Sequence, residues 1–174
     1  MKKILFLLIF PTICFSQSSN NIQNPINVFN SGKKKYDSQD YLGAIKDFSQ
    51  AIKIMRQTDN SPDYALAYYY RANSKTKLKM YYSALNDYNI VIKRNPNYDL
   101  GFHNRGFVKS LLKSHKAAID DYSRAIKLNP YYTKSYKNRG LSKQYLGISP
   151  CKDFKKACEL GDSNSCQYFI EDCE

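Results

Sequence analysis

Two histidines, five cysteines and several recurring arginines, lysines and aspartates are the residues of this 174-residue chain that could do chemistry. His103 and His115 stand 12 apart, on different expected helices. A nucleophilic triad needs a histidine set between a hydroxyl or thiol and a carboxylate, and neither has such partners at a useful spacing. No Cys/His cluster has zinc spacing, no CxxC is present, and the glycines form no phosphate loop. The carboxylates recur at regular intervals instead of pairing across one pocket. The expectation is a non-enzymatic chain with no catalytic residues, no metal and no cofactor.

The regular intervals carry more information. Asp47, Asp87, Asp121 and Asp153 form one column, Lys35, Lys75, Lys109 and Lys143 a second, and Arg71, Arg105 and Arg139 a third. Arginine and aspartate recurring in step point to ion pairs or hydrogen bonds between packed helices. The competing reading is a basic ladder facing a ligand. It draws on further lysines, Lys33, Lys34, Lys77, Lys79, Lys113, Lys116, Lys134 and Lys137.

The period behind these columns is 34, since Tyr70-Arg71-Ala72, Asn104-Arg105-Gly106 and Asn138-Arg139-Gly140 are one site repeated. Repeats of this length are single supersecondary units that bury an apolar face on their neighbours. The second half of each unit places small or apolar residues at i, i+1, i+4, i+7 and i+8, a helical stripe. Examples are Ala44, Ile45, Phe48, Ala51 and Ile52, then Ala118, Ile119, Tyr122, Ala125 and Ile126. Pro96 and Pro130 end two of these helices, because proline cannot continue one. The first half is helical too, with Gly32, Ala72, Gly106 and Gly140 in one column opposite Ala44, Ala84 and Ala118. Short links such as Lys79-Met80 and Lys113-Ser114 fit antiparallel helical hairpins.

Residues 28–146 resemble the tetratricopeptide-repeat family. Its small…Ala…aromatic…Ala…Pro pattern is carried by Ala72, Ala84, Tyr88, Val91 and Pro96, and again by Gly106, Ala118, Tyr122, Ala125 and Pro130. The first copy carries Gly32, Tyr41, Ala44, Phe48 and Ala51, with Met55 to Pro62 lengthening its exit by six residues. Tyr68, Phe102 and Tyr136 supply the family's aromatic near the start of the first helix. The resemblance implies an all-α fold, a right-handed α-solenoid of antiparallel hairpins with about four repeats and a C-terminal capping helix. The units span about 28–61, 65–98, 99–132 and 133–160, with a cap over 161–174.

In this family the first helices line a concave groove for an extended peptide or partner helix. The resemblance assigns that groove to Tyr69, Asn73, His103, Asn104, Lys134, Lys137, Asn138 and Tyr145. Some relatives clamp a C-terminal carboxylate there. Asn73, Asn104 and Lys134 match three clamp positions, whereas Tyr69 and Asn138 stand where Lys and Arg would be. Asparagine amides can still read peptide backbone, offering donor and acceptor together. A scaffold reading of Asn104 and Asn138 competes, because Asn-Arg-Gly belongs to the repeat itself. His115 takes the place of Tyr41 and Tyr81 and reads as a packing residue.

The first 16 residues combine basic Lys2 and Lys3, an apolar run from Ile4 to Phe15 and small Ser16. That is a secretory signal peptide, too short to span a membrane. Residues 17–27 read as a flexible leader. A lipoprotein signal acylated at Cys14 is the rival, although Pro11-Thr12-Ile13 lacks the small residue usually found beside such a cysteine. The localisation expected is export, to the periplasm, the cell envelope or the medium. Removing Lys2 and Lys3 takes the formal charge from +12 to +10.

Beyond Cys14 the cysteines are Cys151, Cys158, Cys166 and Cys173, an even number that reads as a disulfide framework in an exported chain. Asp153-Phe154 matches Asp121-Tyr122, so residues 150–160 form a second helix and 163–173 one more. Cysteines seven apart on one helix are separated by about 10.5 Å of rise, beyond the roughly 7 Å a disulfide tolerates. In an antiparallel hairpin, residues at one level share an index sum, which pairs Cys158 with Cys166 and Cys151 with Cys173. The stretch Lys156 to Cys166 also resembles cysteine-rich Sel1-like repeats, whose paired cysteines have this spacing and are bridged. The staple would compensate a terminal unit that has no neighbour.

The function expected is a protein-interaction scaffold of the cell envelope, using the groove to assemble protein partners or to hold an acidic or a C-terminal peptide. No specific nucleic acid and no transmembrane segment is expected. The alternative is electrostatic attachment to an anionic polymer or membrane surface through the lysine-rich face.

Overall fold

The structure, a computed structural model, describes residues 24–57 and 63–173. The expected signal peptide and the leader up to residue 23 lie outside the described residues. Nine helices follow one another among those residues: α1 (Pro25–Asp37), α2 (Tyr41–Gln57), α3 (Asp63–Lys77), α4 (Tyr81–Arg94), α5 (Asp99–Leu111), α6 (His115–Leu128), α7 (Thr133–Tyr145), α8 (Cys151–Glu159) and α9 (Ser163–Cys173). Each packs on the next. The molecule is an α-solenoid of four hairpins plus a capping helix.

The expected apolar stripes are the buried ones. Ala44, Phe48, Ala51 and Ile52 on α2, Ala84, Tyr88 and Val91 on α4, and Ala118, Tyr122 and Ala125 on α6 are all buried. The small-residue column permits close approach, but what it meets is chiefly the aromatic of the second helix. A Cβ added at Gly32 would sit 2.9 Å from Phe48, at Gly106 3.1 Å from Tyr122, and at Gly140 2.6 Å from Phe154.

The hairpin turns share one device. Gln39, Lys79, Lys113 and Gly147 all adopt positive φ. Around each, the next residue's N–H reaches back to a carbonyl five residues earlier, as Met80 N to Lys75 O at 2.9 Å and Ser114 N to Lys109 O at 2.9 Å. This is a Schellman closure, which satisfies the last carbonyls of the first helix and reverses the chain.

Helix α1 starts at Pro25, three residues before the expected solenoid boundary at 28. Asn24 Oδ1 accepts from Ile26 N at 2.9 Å, and Pro25 stands where its missing N–H costs nothing. Part of the insertion in the first unit is helical: α2 has 17 residues against 14 in α4 and α6.

The arginine and aspartate columns are ion pairs. Arg71 donates to both oxygens of Asp87 (2.9 and 2.7 Å), Arg105 to both of Asp121 (2.9 and 2.6 Å), and Arg139 to Asp153 (2.6 Å at Oδ1). Lys75, Lys109 and Lys143 join the same three aspartates at 2.7–2.8 Å. Each arginine also donates its Nη1 to the preceding unit's second helix, at Ser49, Asn89 or Ser123. One side chain therefore ties three helices. In the first unit Ser31 takes the arginine's position and donates to Asp47 at 2.6 Å, beside Lys35 at 2.7 Å.

Beyond α8 the chain turns at Gly161 and α9 returns antiparallel. Cys158–Cys166 and Cys151–Cys173 are bonded, with Cα separations of 4.6 and 5.6 Å. This is the nested pairing that the constant index sum requires.

Candidate functional site

First helices touch one another across units, α1 with α3, α3 with α5 and α5 with α7. Second helices show no comparable mutual packing among the described residues, so the first helices line the inside of the curve. Two cavities open there.

The cavity between α3, α5 and α7 measures about 440 Å³ and is polar. Tyr88, buried to 1% exposure, donates its hydroxyl to Asn73 Oδ1 at 2.6 Å. Burial raises the Tyr88 pKa, so the phenol stays protonated and acts as donor. Asn104 Nδ2 donates to the same Asn73 Oδ1 and to the Tyr69 hydroxyl, both at 3.0 Å. These bonds fix the amide orientations, and Asn73 also interacts with the Tyr69 hydroxyl. An amide side chain can meet both the carbonyl and the N–H of an extended peptide.

His103 forms part of the same wall, 5% exposed, with Nδ1 2.8 Å from Ser135 Oγ and its ring 4.6 Å from that of Tyr132. Burial and then the charge of Lys134 push its pKa down to about 4, with Asp99 opposing weakly. The ring is neutral at pH 7, so it adds a hydrogen-bonding group without charge. Lys77, Lys134 and Asn138 also line it, and among the described residues no carboxylate does.

The second cavity, about 450 Å³, lies between α5 and α7 beside the turn into α6. It is apolar, lined by Phe107, Leu111, Leu141 and Tyr145, with Lys113 at its edge and again no carboxylate. His115 stacks on Tyr145 at 4.6 Å and 11°, the packing role its position implies, although its buried Nδ1 has no hydrogen-bond partner. Phe107 and Asn138 border both cavities, so the two adjoin.

Six of the eight residues assigned to the groove, Tyr69, Asn73, His103, Asn104, Lys134 and Asn138, meet at the polar cavity. Tyr145 belongs to the apolar one. Lys137 borders neither of them and reaches Asp162 at 3.3 Å, tying α7 to the start of α9. Sequence reasoning missed Phe107, Leu111 and Leu141. The signal was present: at 34-residue spacing Asn73 becomes Phe107 and Leu141, and Lys77 becomes Leu111 and Tyr145. Among the described residues no group of histidines, cysteines and carboxylates could hold a metal ion.

No protein-family model and no curated protein matches this sequence. Solved structures do match. The crystal structure of MamA superposes with a TM-score of 0.74 at 22% identity, covering 84% of this chain and 83% of that one. The first tetratricopeptide domain of Spaghetti (RPAP3), bound to the HSP90 peptide SRMEEVD, gives 0.65 at 22% identity over 73% of this chain and 96% of that one. YrrB, a tetratricopeptide-repeat protein with an unusual peptide-binding site, gives 0.72 at 14% identity over 84% and 74%. The chain has the tetratricopeptide-repeat fold.

Proposed function

We propose that this protein is a non-enzymatic interaction scaffold that holds an extended segment of a partner protein against the inner faces of α3, α5 and α7. The observation that carries the reading is the oriented amide network of Asn73 and Asn104, braced by Tyr88 and Tyr69. A network held in this way presents a donor and an acceptor to a backbone at little entropic cost. Peptide complexes among the structural neighbours support it: the RPAP3 domain holds an HSP90 peptide, and YrrB has a peptide-binding site.

The proposed location is the cell envelope or beyond. Two disulfides fit an oxidising compartment, and the first 16 residues have the pattern of an export signal. No helix among the described residues is long and apolar enough to cross a membrane.

The electrostatic alternative loses much of its material. Arg71, Arg105, Arg139, Lys75, Lys109 and Lys143 are spent on buried aspartates and do not form a ligand-facing ladder. A pull-down from envelope extracts with mature protein (17–174), eluted stepwise with salt, separates the two readings. The scaffold reading expects one or two stoichiometric proteins retained above ~0.5 M salt and lost with Asn73→Ala/Asn104→Ala. A broad anionic mixture released below ~0.3 M salt by wild type and double mutant alike would make the lysine surface the function.

A further inference from the structure

The repeat gives an internal control on its own concave face. Positions 73, 107 and 141 are equivalent, as are 77, 111 and 145. The second unit carries Asn73 and Lys77 there, and the first unit carries Lys33 and Asp37. Only the third and fourth units turn apolar, with Phe107 and Leu111, then Leu141 and Tyr145. Hairpin packing therefore does not require apolar side chains at these positions. Nor does burial explain three of the four: Phe107 is 40% exposed, Leu111 42% and Tyr145 75%, with Leu141 half-buried among them. Exposed apolar side chains gathered around one cavity mark a place where something binds.

What binds is set by what adjoins the cavity. It adjoins the polar, amide-lined cavity, and among the described residues the two walls carry Lys77, Lys113 and Lys134 and no carboxylate. Asp87, Asp121 and Asp153 are buried between helices on their own arginines and lysines. Asp99, which acts on His103 and Tyr132 and accepts from Asn129, and Asp120, beside Lys113, stand outside both walls. The face is thus cationic and amide-bearing at one end and apolar at the other.

We propose that this is a two-part site in which the apolar cavity between α5 and α7 seats one bulky apolar side chain of the partner segment. The adjoining cavity takes that segment's backbone and an acidic residue. The inference rests on the groove reading above and names its ligand class: a linear acidic segment with a large aliphatic or aromatic residue. Because the two cavities share Phe107 and Asn138, the apolar residue and the acid lie within a few positions of each other along the segment.

The test is selection of a phage-displayed library of random linear peptides on mature, disulfide-bonded protein, followed by calorimetric titration of the enriched synthetic peptides. Phe107→Asn/Leu141→Asn is the informative variant. It installs the side chain the second unit already carries, keeps net charge unchanged, and its folding is checked by thermal unfolding. Tyr145→Ala, at an exposed position, is the second variant. The expected result is a shared pattern of one bulky apolar residue within a few positions of Asp or Glu. Affinity should fall at least tenfold in Phe107→Asn/Leu141→Asn, and measurably in Tyr145→Ala.

Peptides that need Asn73 and Asn104 but bind both apolar variants like wild type would overturn this inference and leave the groove reading standing. Failure of any peptide to bind would overturn both. A wild-type dimer in sedimentation, dissolved by Phe107→Asn/Leu141→Asn, would assign the apolar cavity to a second copy of the chain and overturn the inference as well.

Discussion

Asp121 is 4% exposed and meets two cations, Arg105 at 2.6 Å through a two-pronged contact and Lys109 at 2.7 Å. Bidentate arginine contacts are strong and directional, but the larger consequence is what removal leaves behind. Asp121→Ala would strand two cations in a largely buried place, and the expected loss is about 3–5 kcal/mol in urea unfolding. A loss under about 1 kcal/mol would show the column to be surface decoration. His103 gives a pH signature. Its folded pKa of about 4 lies below the ordinary 6.5, so between those values the unfolded chain binds a proton that the folded chain refuses. Its contribution is intact above pH 6.5 and is lost as pH falls toward 4. At about 1.4 kcal/mol per unit, wild type should lose about 2 kcal/mol between pH 7 and pH 5 beyond what His103→Phe loses. Parallel pH profiles for the two proteins would contradict the buried, neutral assignment. The ion-pair column was legible because both partners repeat in step. The burial of His103 was not, since Ser135 and Tyr132 belong to the next unit and no local spacing announces them.

Among elements, the hairpin turn is the informative one. Lys79 and Lys113 hold the left-handed conformation that Gly147 holds in the fourth unit. A side chain there costs about 1–2 kcal/mol that glycine avoids, partly offset by glycine's greater freedom when unfolded. Lys113→Gly should therefore raise stability by about 0.5–1 kcal/mol, and Gly147→Ala should lower it by a similar amount, both read by thermal unfolding. A destabilising Lys113→Gly would mean that the lysine stem contributes packing the turn geometry does not reveal. The helices themselves were readable from their 3.6-residue stripes, and the short links from their length. The start of α1 was not, because Asn24 and Pro25 continue the polar segment before them in composition although they form a cap. The division of the concave face was also passed over. An apolar residue in a helix reads as core until a polar equivalent in another unit shows that core packing does not need it.

At the scale of the molecule, each unit contacts only its neighbours, so stability should be graded along the chain and the ends depend on special devices. At the C-terminal end these are the nested disulfides and the Lys137–Asp162 contact at 3.3 Å. Reduction should release about 2–4 kcal/mol of local stability per bridge. Hydrogen exchange in reductant should accelerate in α8 and α9 while α3 to α6 keep their protection. Uniform acceleration would mean that the solenoid unfolds as one unit. The architecture and the bridges could be read from repetition, since period and index sum are properties of the chain alone. The proposed partner could not, because the cavities offered for it form only where helices of successive units meet.

The position of the bound partner decides whether the concave face is the binding surface. Tyr145 and Tyr82 are matched for a direct trial: both are exposed tyrosines, at 75% and 76%, the first at the apolar cavity and the second on α4, away from both cavities. A photocrosslinking phenylalanine analogue placed at each in turn, and at Lys134, should capture the partner from positions 134 and 145 and not from 82. Capture at 82 with none at 134 or 145 would put the binding surface on the second helices and contradict the concave site.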